Sequence, residues 1–519
     1  MTPARVYLIG AGPGDPSLIS VKGLQYLKTA DVVVYDRLVH ARLLRSARPE
    51  AEQINVGAPA PHSMEQDAIN ILLADKAREG KTVARLKYGD PFIFDSGGKE
   101  ALFLYEQQIP FEVVPGVPST IGGPCYAGVP LTYPEAGDAL VFIRGHETET
   151  SVPPDVDWEK VTALAGTVVS YGGAPQLEVI INEMLAHGRS PDETAALVIN
   201  GTLPTQRTIQ GTLLEVQGIL KNAQRRGSGV LVVGPVVGFR EYLGWFDSRP
   251  LFGKRILVTR PEDQAAELVD RLLSRGADPV EAPTIRVEPL DDYGLLDEAC
   301  ELAGTFDWVI FTSVNGVEHF MRRLRRGTRD IRELKGVRLC AVGPSTAERL
   351  ARYGLSVDLI PDEHRSEAVA DALREREDLA EKRVLLPRGD LASDALPKRL
   401  GETGAEVFPV TAYRTVLPGD DTGDDGHGGP DIYKMLLEQE LEVVTFTSAS
   451  SVRNFVKMLG AEPAADLLNT VVVAAIGPVT RDAATRLGIR VTIMPASYTI
   501  PALVDAIAEH FASETGQTS

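Results

Sequence analysis

VYLIGAGPGDP, from Val6 to Pro16, is an apolar run that opens into a loop with glycines at Gly10, Gly12 and Gly14. A strand that ends in such a loop and gives way to a helical pattern, here near Ser17 to Thr29, begins an α/β unit. The rhythm continues with DVVVYD from Asp31, a further helical pattern, and TVARLKYGDP from Thr82 to Pro91. Short Val/Ile/Leu-rich runs alternating with helical patterns predict α/β layers whose strands are mostly parallel and buried. The glycine spacing is GxGxG, so the dinucleotide fingerprint GxGxxG is not met, and Pro13 with Asp15 makes a poor pyrophosphate cradle. NAD binding and a plain strand-to-helix turn both remain readings of this loop.

Downstream, the chain repeats itself. KRILVTR (Lys254–Arg260) is answered by KRVLLPR (Lys382–Arg388), VIFTS (Val309–Ser313) by VTFTS (Val444–Ser448), and AVGPST (Ala341–Thr346) by AIGPVT (Ala475–Thr480). The copies lie one domain's length apart, so the period is that of a duplicated domain rather than a solenoid. Two lobes with a cleft between them are expected. The break between the two α/β series falls in the aromatic, Gly- and Pro-containing stretch from Phe239 to Arg255, with a boundary at about Ser248. The acidic, Gly-rich stretch Leu417 to Asp431 reads as a solvated insertion, and 513–519 as a tail.

Composition narrows the function classes. Apolar residues make up 44% and charged residues 24%, and 53 Lys and Arg face 72 Asp and Glu, for a formal charge of -19. Such a balance argues against non-specific nucleic-acid binding, which needs basic surface. No apolar run approaches the roughly 18 residues of a membrane span, and no signal-peptide pattern opens the chain, so a cytoplasmic protein is expected. Cys125, Cys300 and Cys340 are scattered and lack ligand spacing, which predicts neither disulfides nor a metal site.

The stretch from Val6 to about Phe246 resembles the uroporphyrinogen-III C-methyltransferase family of tetrapyrrole methylases. GAGPGDP, YDRLV, RLKYGDPFIF, PFEVVPGVPS, YAGVPLT, RGHE and LVINGT occur in the family's order. The resemblance implies two α/β domains around a cleft, a homodimer formed through this half, and methyl transfer from S-adenosyl-L-methionine to two ring carbons of uroporphyrinogen III, giving precorrin-2. An electron-rich pyrrole carbon attacks a sulfonium methyl directly, so the protein supplies alignment and a base, with no metal.

By the same resemblance Pro13, Tyr88, Gly89, Asp90, Ile93, Pro118, Ser119, Gly172 and Gly201 contact the cofactor. Asp36 matches the proton acceptor, its bland alternative being an ion pair with Arg37. Arg37, Arg85, Lys87 and Arg144 are candidates for the substrate carboxylates. Departures from the family pattern are Ala58 and Pro59 for two basic residues, Tyr88, Asp95 and Ser96 for Gly, Gly and Arg, and Gly172 for Met. Unchanged chemistry with rearranged anion contacts, an altered tetrapyrrole substrate, and a half that binds without turnover are the three readings. His62 and His146 are candidates for a replacement proton donor.

Phe252 to Phe511 is similar to uroporphyrinogen-III synthase, through VTRP, the paired FTS motifs, VGPST, IGPVT and AYRTV (Ala412–Val416). That family has two α/β lobes, here 252–286 with 414–512 and 287–413, after a methylase part covering 1–248. It cyclises hydroxymethylbilane with inversion of the last pyrrole ring. Tyr413 matches the tyrosine thought to assist hydroxyl departure; the alternative is a strand tyrosine packed at the lobe junction. Ser313, Thr346, Ser448 and Thr480 are expected to bind carboxylates or else to cap helices, and Arg260 and Arg388 to hold acidic side groups. The whole reads as a bifunctional enzyme of tetrapyrrole biosynthesis, toward sirohaem or cobalamin. The alternative is an active synthase fused to a non-catalytic or altered-substrate binding module.

Overall fold

The computed structural model describes residues 5–57, 64–145, 152–164, 166–222, 228–283, 286–288, 290–326, 329–361, 366–390, 392, 394–416 and 431–515. It is an α/β structure with four sheets. By packing, the chain divides into two units: Met1–Arg255 with Arg271–Asp278 and Ala508–Ser519, and Ile256–Asp270 with Pro279–Ile507.

In the first unit, β1 (Val6–Gly10), β2 (Val32–Tyr35), β3 (Glu52–Asn55), β4 (Val83–Lys87) and β5 (Phe111–Val114) pair in the order β3-β2-β4-β1-β5, every pairing parallel. Both faces are covered. Val6, Leu8, Val32 and Val34 pack on one side with Leu73, and Ile9, Val33, Ala84 and Leu86 on the other with Leu27. Alternating residues of one strand thus serve two cores, which is why the sequence shows continuous apolar runs here. Because the strands are parallel, the loops after β1, β2, β4 and β5 all gather at one carboxyl edge, the usual place for a ligand in such sheets.

The second sheet departs from the expectation of mostly parallel strands. It comprises β6 (Ala139–Arg144), β7 (Gly166–Gly173), β8 (Thr194–Ile199), β9 (Arg207–Thr212) and β10 (Ser228–Val233), in the order β6-β7-β10-β8-β9. Only β6 and β7 run parallel; β7–β10, β10–β8 and β8–β9 are antiparallel. The short turn between β8 and β9 leaves no room for the crossover that parallel pairing needs.

In the second unit the strands are β11 (Arg255–Val258), β12 (Asp278–Glu281), β13 (Arg286–Glu288), β14 (Trp308–Phe311), β15 (Arg338–Ala341), β16 (Arg383–Gly389), β17 (Glu406–Val416), β18 (Val443–Phe446) and β19 (Val472–Ala475). Their orders are β12-β11-β18-β19 and β13-β17-β16-β14-β15. The duplication is visible in register: Phe311 pairs with Ala341 and Phe446 with Ala475. The opening strands are exchanged, however. β11 of the first repeat lies beside β18 of the second, and β16 of the second beside β14 of the first.

The last helix, Ile500–Thr515, continues past Ala512 into the segment read as a tail. Residues 417–430 of the acidic insertion lie outside the described residues. Among the described residues no helix is long and apolar enough to cross a membrane, and none form a cluster able to hold a metal ion.

Candidate functional site

Strand β4 reads VARLK and is buried along its whole length. Arg85 and Lys87 are two residues apart, hence on one face, and each is only 1% exposed. Two cations inside a sheet require a buried anion. Glu100, fully buried on the Gly97–Glu106 helix, is that anion. Its Oε1 accepts from Arg85 Nε at 3.2 Å and Nη2 at 3.1 Å, from Lys87 Nζ at 3.0 Å and from Gln66 Nε2 at 3.2 Å. Burial pushes the Glu100 carboxyl up, but Arg85 and Lys87 outweigh it and hold it below its ordinary range.

The network surfaces at two carboxylates. Arg85 Nη2 donates to Asp36 Oδ1 at 2.6 Å, and the Tyr88 N–H donates to Asp36 Oδ2 at 3.2 Å. Lys87 Nζ pairs with Asp95 Oδ1 at 3.1 Å and donates to Ser96 Oγ at 3.0 Å. Burial pushes the Asp95 carboxyl up; Lys87 opposes this and the nearby charge of Asp36 reinforces it.

A cavity of about 440 Å³ opens over these groups and brings together Asp36, Arg37, Tyr88, Gly89, Asp90, Ile93, Pro118, Ser119 and Arg144. A second, of about 410 Å³, shares Arg37, Tyr88, Ser119 and Tyr171 with it and adds Pro13 and Gly201. Close backbone approach shapes both. A Cβ on Gly201 would stand 2.7 Å from Gly123 Cα, and Gly89 has φ 71°, a left-handed value that glycine takes without strain. These glycine cradles, the Tyr88 hydroxyl donating to Pro13 O at 3.0 Å, and the polar rim suit a ligand with a flat ring and polar ends. The residues therefore fit a nucleoside-bearing group such as S-adenosyl-L-methionine.

Other placements differ from the sequence reading. Gly172 lines neither cavity; it sits in β7 opposite Gly229, which lines the second. Asp90 already accepts at both oxygens, from the Phe92 N–H at 2.8 Å and the Gly116 N–H at 3.0 Å, and so ties its loop to the one after β5. Arg85 and Lys87 are neutralised internally. Arg37 and Arg144 also line the cavity, and Arg144 is exposed without an ion pair among the described residues. Ala58, Pro59, His62 and His146 lie outside the described residues.

In the second unit Tyr413, near the end of β17, sets its hydroxyl 3.1 Å from Ser313 Oγ. Ser313 is also the N-cap of the Val314–Leu324 helix, accepting from the Gly316 N–H at 3.0 Å. Gly389 makes room for the phenol, since a Cβ there would fall 2.8 Å from the ring. His319, which the sequence reading passed over, is buried with its ring 5.5 Å from that of Tyr413. Burial pushes its pKa down, with Arg322 acting the same way and Glu318 against, which favours the neutral imidazole.

The repeat-equivalent Ser448 caps the Ala449–Leu459 helix in a capping box with Ser451. Thr346 and Thr480 are each 4% exposed, in the first turns of the Pro344–Arg352 and Pro478–Arg486 helices. Arg388 Nη2 pairs with Asp394 at 2.7 Å. Arg260 is partly buried just after β11.

Two family models match the chain: tetrapyrrole (corrin/porphyrin) methylases over residues 5–217, and uroporphyrinogen-III synthase HemD over residues 266–505. The porphyrin biosynthesis protein HemD of Ruminiclostridium josui is 36% identical over 97% of this chain and 97% of that relative. The uroporphyrinogen-III C-methyltransferase of Bacillus subtilis (strain 168) is 38% identical over 69% of this chain and 73% of that relative. Among solved structures, uroporphyrin-III C-methyl transferase from Thermus thermophilus, complexed with S-adenyl homocysteine, is 36% identical with a TM-score of 0.39. It covers 45% of this chain and 99% of its own.

Proposed function

The chain belongs to the family of tetrapyrrole-biosynthesis enzymes that join a tetrapyrrole methylase to a uroporphyrinogen-III synthase, and from that premise we propose that it carries out two consecutive steps. The synthase part, 252–512 with lobes 252–286 plus 414–512 and 287–413, closes hydroxymethylbilane to uroporphyrinogen III. The methylase part, 1–248, then transfers methyl groups from S-adenosyl-L-methionine to that product, giving precorrin-2.

The observation that carries the methylase assignment is the pair of adjoining cavities at the carboxyl edge of the first sheet. The second, lined by Pro13, Gly201, Tyr88 and Ser119, takes the methyl donor; the first, with Asp36, Arg37 and Arg144, takes the macrocycle. Asp36 accepts a proton there. In the synthase part Tyr413 assists hydroxyl departure, and Arg260, Arg388 and the Ser313, Thr346, Ser448 and Thr480 turns hold the substrate's ends. The exposed apolar patch of Ile121, Tyr242, Leu243 and Trp245 is consistent with a homodimer formed through the methylase part.

The neutralisation of Arg85 and Lys87 and the position of Gly172 outside both cavities favour a second reading, in which the methylase part accepts an altered tetrapyrrole or binds without turnover. Anaerobic incubation of the full chain with hydroxymethylbilane and methyl-labelled S-adenosyl-L-methionine decides between them. A dimethylated type III product supports both steps. Unmethylated type III product leaves the second reading, and absence of type III product removes the synthase assignment.

A further inference from the structure

We propose that Asp95 is a proton-accepting catalytic residue of the methyl-transfer cavity, working beside Asp36. The proposal rests on the methyltransferase reading above. Asp95 lines the cavity together with Asp36. The preceding residue, Phe94, has φ 56°, a left-handed value rare for a bulky side chain, and such strain persists where the surroundings hold a functional turn.

The two carboxylates differ in how their oxygens are committed. Asp36 has a donor on each: Arg85 Nη2 on Oδ1 and the Tyr88 N–H on Oδ2. Asp95 has all its partners on Oδ1, namely the Ser96 N–H at 2.5 Å, the Ser96 hydroxyl at 3.3 Å and Lys87 Nζ at 3.1 Å. Its Oδ2 accepts no hydrogen bond among the described residues. Each Asp36 oxygen already carries one donor, whereas Asp95 Oδ2 carries none and offers both of its lone pairs to a proton.

The charged groups around Asp95 are Lys87 and Arg85 from β4, Asp36 from the end of β2 and Glu100 from the Gly97–Glu106 helix, with Arg37, Asp90 and Arg144 in the same cavity. Burial and Asp36 push the Asp95 carboxyl up while Lys87 restrains it. The net upward shift brings it nearer the range in which a carboxyl both takes and releases a proton.

The step balances. A pyrrole carbon takes the methyl group of the sulfonium donor, forming a C–C bond from the ring's electron pair while the S–C pair stays on sulfur. The ring, now an iminium-type cation with no hydrogen on the methylated carbon, loses one proton from its N–H or from an adjacent bridging methylene to Asp95 Oδ2, and the electron pair of that N–H or C–H bond stays on the ring and restores its neutrality. The carboxylic acid then returns the proton to solvent.

The test is methyl transfer to uroporphyrinogen III by the full chain across acid to alkaline pH, for the unsubstituted protein and for Asp95→Asn and Asp95→Glu. Calorimetric binding of S-adenosylhomocysteine reports whether each variant keeps its fold. Asp95→Asn is expected to bind but to lose about 100-fold in kcat, with the acid limb of the kcat profile gone. Asp95→Glu is expected to restore part of kcat with that limb displaced.

An Asn variant with unchanged kcat and profile, or with a change in KM alone, reduces Asp95 to a partner of Lys87 and overturns the proposal. If the Asn variant fails to bind, the Glu variant decides: a displaced limb supports the role and an unmoved one overturns it. If the unsubstituted chain transfers no methyl group, the methyltransferase reading itself falls and the role of Asp95 falls with it.

Discussion

The phenolic oxygen of Tyr413 lies 3.1 Å from a hydroxyl, that of Ser313, which simultaneously caps the Val314–Leu324 helix. Its repeat-equivalent, Ser448, caps the Ala449–Leu459 helix in the same way but meets the hydroxyl of Ser450 at 3.0 Å instead of a phenol. Duplication has thus kept one structural device twice and attached a candidate acid to only one copy. Because the Gly316 N–H already occupies one lone pair of Ser313, the hydroxyl orientations open to the pair are few, which orders the phenolic proton.

This asymmetry separates stability from catalysis. Ser313→Ala and Ser448→Ala are each expected to cost about 1 kcal/mol through loss of the cap. Only Ser313→Ala should also slow cyclisation of hydroxymethylbilane, and Tyr413→Phe should slow it by about 100-fold with little loss of stability. Thermal unfolding and the ratio of type III to type I product check both. Equal slowing by the two serine variants would remove the special role of Ser313.

Gly389 supplies a steric counterpart. A methyl group there meets Tyr413 Cε2, Cζ and Oη at 2.8 to 3.0 Å, so Gly389→Ala must displace the ring. The phenol then leaves Ser313 while the sheet, whose backbone any residue can adopt at this position, persists. Cyclisation is expected to fall toward that of Tyr413→Phe, and the double variant to be no slower than either single one. Additive losses would mean that the glycine acts on something other than the phenol.

How much of this was legible beforehand differs between the halves. Parallel pairing in the first sheet follows from the run-and-helix alternation, whereas the antiparallel second sheet turns on a short connection between two strands that carry the same apolar content as any other. The repeats were readable from the residues, but repeat alignment says nothing of pairing partners, and the grouping of 252–286 with 414–512 came only from the family resemblance. Arg85 and Lys87 looked like substrate ligands because their charge is visible and their burial is not. The i,i+2 spacing inside an apolar strand was the available signal that a buried acid, Glu100, must exist. His319 and Gly389 carried no motif and are brought to Tyr413 only by tertiary packing.

The buried network predicts an acid sensitivity. Burial alone would raise the Glu100 carboxyl, but Arg85 and Lys87 hold it below its ordinary value of 4.5. A carboxyl lowered by folding stabilises the fold fully above the unfolded value and loses that contribution as pH falls from there through the folded one, where the unfolded chain binds more protons. Glu100→Gln should therefore be less stable at neutral pH and lose less stability on acidification. Glu100→Ala, leaving two buried cations without their anion, should cost about 3–5 kcal/mol. Tm followed from neutral to acid pH checks the slope, and parallel curves for the Gln variant and the unsubstituted protein would place the acid-labile group elsewhere.

With Arg85 and Lys87 committed to Glu100, Arg144 is a candidate anion contact in the cavity beside Asp36. Arg144 is exposed at the end of β6 and lines the cavity without an ion pair among the described residues. A charge-assisted contact of this kind contributes about 1.5–3 kcal/mol to binding, which corresponds to roughly ten- to a hundredfold in affinity. Arg144→Ala is thus expected to raise KM for uroporphyrinogen III by that factor while leaving kcat and S-adenosylhomocysteine affinity nearly unchanged, since a carboxylate on the ring's edge is held equally in ground and transition states. Arg144→Lys should recover only part of the loss, because a point charge lacks the bidentate fork. A fall in kcat with KM unchanged would instead mean that Arg144 acts on the reacting ring and not on its acidic side chains.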